Sequence, residues 1–333
     1  MIVDEKKTIY QPIYPDVRPK LDLEYVAFHD KHLQYVVPDD SQPWDPAIRT
    51  RKGPMAAGQS PLSKVGDTRD IKVSNWEMRV FTPEGNPPEG GWPVFLWHHG
   101  GGWTIGGINA ENDFCTLMCK SASCVVITVG YRHAPEFKYP TAINDCIETL
   151  NWVITTGPSS LNTNKNRIAI GGTSAGSNLS AILALKAASS TPPVPLLFQL
   201  LIVPVIDNTA TADTVWAPNQ KAPWLTPGRM MWYRRLYLPD EKDWGNWDSS
   251  PNMAPEELLK KTPRTWMAIS EQDLLAPEGL AYAAQLRGLG VQVETTVYKG
   301  MTHSILGLNG ILTQGKQLMR DSAEALRRAF NEI

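Results

Sequence analysis

From about residue 72 to the C-terminus, short apolar runs alternate with stretches of helical spacing, and this alternation limits the possible folds more than any other feature of the chain. WPVFLWH (92–98), CVVITVGY (124–131), RIAIGG (167–172) and LLFQLLIVP (196–204) have the apolar character of strands buried on both faces. Between them, ENDFCTLMCKSA (111–122), YPTAINDCIETLNWVITT (139–156) and SAGSNLSAILALKAAS (174–189) place apolar residues at helical intervals. After an irregular stretch the series resumes with RTWMAIS (264–270), EGLAYAAQLRGLG (278–290), VQVETTVYK (291–299) and a helix across 314–331. IKVSNWEMRVF, at the head of the series, alternates as a strand pair or one long strand. The pattern predicts an α/β fold, a mostly parallel central sheet flanked by helices. Ligands of such sheets bind at the carboxyl ends of the strands.

Two segments stand outside the series. Residues 1–65 are rich in Pro, Asp and Lys, with one helical stretch expected at LDLEYVAFHDKHLQYV (21–36). Residues 205–255 carry five of the twelve Trp residues, among many Pro and Asp. Many Trp in an insertion more often form its own core than a ligand site. The division expected is an α/β unit of 66–204 and 256–333, with 1–65 and 205–255 together as a cap region over the carboxyl edge of its sheet.

The net charge of −2, with Lys+Arg 32 against Asp+Glu 34, offers no footprint for a nucleic acid. Lysines and acidic residues interrupt MIVDEKKTIYQPIYPD before a signal-length apolar run can form. No run approaches the roughly 20 apolar residues of a membrane helix, and the C-terminus, ending Phe330-Asn331-Glu332-Ile333, matches no lipidation signal. A cytoplasmic protein is expected. Cys115, Cys119, Cys124 and Cys146 read as buried thiols rather than metal ligands or disulfides, so no metal site is expected.

RIAIG runs into Gly172-Thr173-Ser174-Ala175-Gly176, and a helix follows at once. A G-x-S-x-G turn between strand and helix presents its central serine as a nucleophile, and the flanking glycines leave room for the sharp turn. The same letters alone could form a plain connection; the strand-to-helix context is what favours catalysis. Ala175, the first residue after the nucleophile, offers its N–H at a helix start, where a developing anion is stabilised.

WPVFLWH leads into His99-Gly100-Gly101-Gly102-Trp103. Three glycines after a strand let backbone amides approach a substrate oxygen, as an oxyanion hole requires. The spacing to Gly106 does not meet the G-x-G-x-x-G of a dinucleotide loop, so no nucleotide cofactor is expected. His99 reads as an anchor of the loop and His98 as a strand residue.

His303 follows the strand VQVETTVYK, and Asp273 follows RTWMAIS. Alone, each would be an ordinary polar loop residue. In chain order Ser174, Asp273, His303 they match a nucleophile, an orienting acid and a base at three strand ends. Glu271 and Glu278 are the fallback acids.

With these residues in place the chain resembles the hormone-sensitive-lipase-like branch of the α/β-hydrolases, the family IV esterases with an HGGG motif. The resemblance rests on His99-Gly-Gly-Gly-Trp103, Tyr131-Arg132-His133-Ala134-Pro135-Glu136 with Tyr139-Pro140, Gly172-Thr-Ser-Ala-Gly176 with Asn178-Leu179, Asp273-Leu-Leu, and Gly300-Met-Thr-His303. It implies Gly101, Gly102 and Ala175 as oxyanion donors, with His99, Gly100 and Trp103 supporting the loop. It also implies no cofactor, a small-molecule ester of short to medium chain or aryl type as substrate, and homodimers through an edge strand. The chain departs from the family's usual Asp before the serine and Gly three residues after it, where it has Thr173 and Ser177. A serine carboxylic-ester hydrolase working through an acyl-enzyme is the function expected. Amide cleavage of the aryl formamidase kind would use the same residues. A non-catalytic receptor of this fold would lack a triad member, typically the histidine, which is present here.

Overall fold

The structure is a computed structural model that describes residues 7–51 and 53–331. The first six residues of the stretch read for a targeting signal, and the last two residues of the chain, lie outside the described residues.

Eight strands form one sheet: β1 (Asp67–Val73), β2 (Trp76–Thr82), β3 (Trp92–His98), β4 (Val125–Gly130), β5 (Thr163–Thr173), β6 (Phe198–Ile202), β7 (Arg264–Ser270) and β8 (Val293–Tyr298). Their order is β1-β2-β4-β3-β5-β6-β7-β8. IKVSNWEMRVF is a strand pair: β1 and β2 form a hairpin, and β2 runs antiparallel to β4. From β4 to β8 every pairing is parallel. This is the α/β-hydrolase architecture the sequence leads one to expect, a mostly parallel sheet flanked by helices.

The helices are α1 (Leu23–Lys31), α2 (Asn112–Ala122), α3 (Thr141–Thr155), α4 (Gly157–Leu161), α5 (Ala175–Ser189), α6 (Pro227–Tyr237), α7 (Glu256–Leu259), α8 (Ala276–Gly288) and α9 (Thr313–Asn331). Strand periodicity divides them between the two faces. All seven residues of β3 are buried, but Val94 and Leu96 point toward the core under α3 and α5. Phe95 and Trp97, one residue out of phase, point toward α2 and α9. Burying a side chain of this size contributes roughly 1.5–3 kcal/mol, so a central strand with two apolar faces is driven to the middle of the molecule. No helix among the described residues is long and apolar enough to cross a membrane.

The helix expected over 21–36 is shorter than its pattern. Asp22 caps α1 by accepting from the Glu24 N–H at 2.8 Å, and helical geometry is lost at His32. A 3₁₀ turn, Leu33–Tyr35, follows. The Gln34 carbonyl receives the N–H groups of Tyr10 and Gln11 at 2.8 and 3.1 Å. Pairing with the preceding chain thus takes the place of a further helical turn.

The irregular stretch 205–255 contains α6, with Pro227 in its first turn and Thr226 accepting from the Arg229 N–H at 3.2 Å. Two arginines on its buried side, Arg229 and Arg234, interrupt the apolar stripe by which a helix is read in sequence. Arg234 is sandwiched between the Trp216 and Trp244 rings, 4.8 and 5.0 Å from their centroids. Those two Trp therefore pack around Arg234 rather than lining the cavity described below.

Candidate active site

The carboxyl ends of β3, β5, β6 and β8 converge on one cavity of about 340 Å³. β5 ends at Thr173, and Ser174 turns the chain into α5 with φ 54 and ψ −120. The flanking glycines are required by close approach. A Cβ on Gly176 would overlap the His98 carbonyl, and one on Gly172 would lie 2.7 Å from that oxygen. Neighbouring bonds hold the turn: Ser174 N–H donates to the Ile202 carbonyl at 2.9 Å, and Val205 N–H donates to the Ser174 carbonyl at 3.3 Å.

Ser177, where the resembled family has glycine, stitches this turn to the neighbouring strand. Its hydroxyl donates to the Gly172 carbonyl at 2.6 Å and accepts from the Ile202 N–H at 3.0 Å. Thr173 turns a methyl toward Gly100, so a Cβ there would stand 2.9 Å from it.

Three residues from separate strand ends form a hydrogen-bonded line. His303 Nδ1 lies 2.8 Å from Asp273 Oδ2, and His303 Nε2 lies 2.9 Å from Ser174 Oγ. With Nδ1–H donating to the carboxylate, Nε2 is left to accept from the serine hydroxyl. Asp273 is buried, and its other oxygen accepts from the Leu275 N–H at 3.2 Å. Neither fallback acid takes this place. Glu271 binds Lys299 Nζ and the Gly300 N–H at 2.7 and 2.9 Å. Glu278 is buried elsewhere, accepting from the Ile206 N–H and Trp216 Nε1, each at 2.7 Å.

The loop after β3 passes beside Ser174 with Gly101 at φ +115 and Gly102 at φ +58. A Cβ on Gly101 would overlap the Ile105 carbonyl, and one on Gly102 would strike the Tyr233 ring of α6. Among the described residues the N–H groups of Gly101, Gly102 and Ala175 have no acceptor. They are free to serve a ligand oxygen. His99 is buried beneath the loop, stacked on Tyr131 at 4.3 Å, with Nδ1 donating to the Gly100 carbonyl at 2.7 Å. Burial pushes its pKa down to about 4, and that of His98 to about 3, so both stand neutral. His98 sits in the strand with Nδ1 2.8 Å from Ser180 Oγ. Trp103 is fully buried and stacked on Tyr237 at 4.7 Å.

Both segments outside the α/β series contribute to the cavity wall. Val36, Ile48 and Met55 come from the N-terminal segment, and Trp224, Leu225, Met230 and Tyr233 from residues 205–255. Asn219 reaches the acid loop directly, its Nδ2 donating to the carbonyls of Asp273 and Glu271 at 2.6 and 3.0 Å. Glu111, Asn219 and Tyr233 have no motif around them that marks them in sequence. The four cysteines are buried and unpaired. No group of three or more potential metal-ligating side chains is found among the described residues.

A family model described as α/β hydrolase fold matches residues 95–307. An AB hydrolase superfamily protein of Schizosaccharomyces pombe is 41% identical over 96% of this chain and 97% of its own length. An arylesterase of Saccharolobus solfataricus is 31% identical over 89% of this chain and 93% of its own length. Among solved structures, a thermostable esterase from Pseudomonas putida superposes with a TM-score of 0.83 at 30% identity, covering 94% of this chain and 98% of that one.

Proposed function

This chain belongs to the α/β-hydrolase family, in its hormone-sensitive-lipase-like branch of carboxylesterase-type enzymes, and on that premise we propose that Ser174, His303 and Asp273 are its catalytic triad. Ser174 Oγ attacks the ester carbonyl carbon while His303 Nε2 takes its proton. The carbonyl oxygen becomes an oxyanion held by the N–H groups of Gly101, Gly102 and Ala175. His303 then gives the proton to the departing alkoxide, leaving an acyl-enzyme on Ser174. Water, deprotonated by the same imidazole, releases the acid.

The observation that carries this reading is the continuous line from Asp273 Oδ2 through His303 to Ser174 Oγ, at 2.8 and 2.9 Å. It also argues against a receptor, because the base is present and within reach of the serine. The mainly apolar lining, with Trp224 and Tyr233 over the site, suits a short- to medium-chain or aryl ester. Residues 7–65 and 205–255 act in this reading as one cap that selects the ester.

The test is hydrolysis of p-nitrophenyl esters by the wild type and Ser174→Ala, with a fluorophosphonate label on both. The wild type is expected to turn over and to be labelled. The variant is expected to lose roughly 10⁴- to 10⁶-fold in kcat and all labelling. A variant that keeps most of its activity overturns the assignment.

A further inference from the structure

One half-buried acid in the cavity wall has no part in this chemistry. Glu111 stands immediately before α2 and makes no capping bond to the helix. Its side chain turns back to the glycine loop instead. Oε1 accepts from the Gly100 N–H at 3.1 Å, and Oε2 accepts from Trp97 Nε1 at 2.6 Å.

The His99 imidazole holds the other end of the Gly100 residue, its carbonyl, at 2.7 Å. Gly100 is therefore gripped at both N–H and C=O, immediately before the two residues whose amides are proposed to meet the oxyanion. A glycine loop with positive φ at Gly101 and Gly102 has many accessible conformations. Fixing the residue ahead of them removes much of that freedom, and preorganised donors are worth more than mobile ones. Resting on the ester-hydrolase reading, we propose that Glu111 is a positioning residue of the reaction, its carboxyl setting the orientation of the Gly100–Gly102 loop toward the transition state. Burial pushes the Glu111 pKa up to about 8. The Gly100 and Trp97 N–H groups act in the opposite direction, each favouring the carboxylate.

The experiment compares Glu111→Met, which keeps the bulk and removes the acceptor, with Glu111→Gln, which keeps one acceptor oxygen for Gly100. Glu148→Gln is the control, because Trp76 Nε1 donates to Glu148 at 3.0 Å in the same kind of pair outside the cavity. Each protein is assayed on p-nitrophenyl butyrate and for inhibition by an aryl trifluoromethyl ketone, which forms a tetrahedral oxyanion adduct with serine. Glu111→Met is expected to lose roughly 10- to 100-fold in kcat and in ketone affinity, with KM within about threefold. Glu111→Gln is expected to recover to within about fivefold of wild type, and the control to match wild type.

If Glu111→Met does not fold, Glu111→Asp, one methylene short of Gly100, is judged by the same split. Wild-type kcat and ketone affinity in the acceptor-free or shortened variant overturn the proposal. So does a folded Glu111→Gln as impaired as Glu111→Met. A wild-type enzyme inactive on every ester overturns the functional reading itself, whereas an active one with unaffected variants overturns only the role of Glu111.

Discussion

Ser174 occupies backbone geometry that costs on the order of 1–3 kcal/mol for a residue with a side chain. The four hydrogen bonds around the turn, two from the Ser174 backbone and two from the Ser177 hydroxyl, offset that cost at about 1 kcal/mol each. Gly101 shows the reverse situation, a position where only the missing side chain permits the backbone. Gly101→Ala is expected to lower kcat roughly 10²- to 10³-fold, because the new methyl must displace the Ile105 carbonyl and with it the amide proposed to meet the oxyanion. Steady-state kinetics on the folded variant checks this, and a near-normal kcat would remove Gly101 from the donor set. The serine turn and the glycine loop were legible in sequence because their chemistry depends on residues adjacent in the chain. Glu111 was not. Its partners Trp97 and Gly100 meet it only because the end of β3 reaches the start of α2, where Trp97 packs on Phe114 at 4.3 Å.

At the scale of elements, the apolar runs located the strands because both faces of the sheet are covered. The segment 205–255 was not legible in the same way. Its helix α6 buries arginines, and its fixed points are single polar contacts such as Glu278 to Ile206 and Trp216. Burial pushes the Glu278 pKa up to about 8, against about 4.3 for an unfolded glutamate. The native state then keeps a proton that the unfolded chain has released, so this group lowers stability progressively as pH rises from about 4.3 to about 8. Glu278→Gln removes that dependence while adding a pH-independent cost for the altered contact with Trp216. The melting temperature of the variant minus that of wild type is therefore expected to increase between about pH 5 and pH 8. A difference that stays flat would mean that Glu278 is ionised in the native protein.

For the whole molecule, the parts outside the α/β series do not have cores of their own among the described residues. Trp216, Leu225, Met230 and Tyr233 share one apolar cluster with Trp103 and Leu179. Val17, Leu21, Tyr25 and Phe28 share another with Phe95 and Trp97 of the central strand. Urea unfolding is accordingly expected to show one transition, with tryptophan fluorescence and far-UV circular dichroism coinciding. Fluorescence that changes first would show that residues 205–255 come loose while the sheet persists.

The Asn219 side chain holds the carbonyl of Asp273, and the Asp22 N–H holds the carbonyl of Gly300, three residues before His303, at 3.1 Å. The two segments that wall the cavity therefore also grip the loops carrying Asp273 and His303, the proposed proton-handling pair. In evolutionary terms, the proposed reading ties taste and speed together. On the proposed chemistry, a lineage that reshapes either segment to admit a new ester also disturbs the setting of its proton relay, and a segment grafted from a relative brings that relative's timing with it.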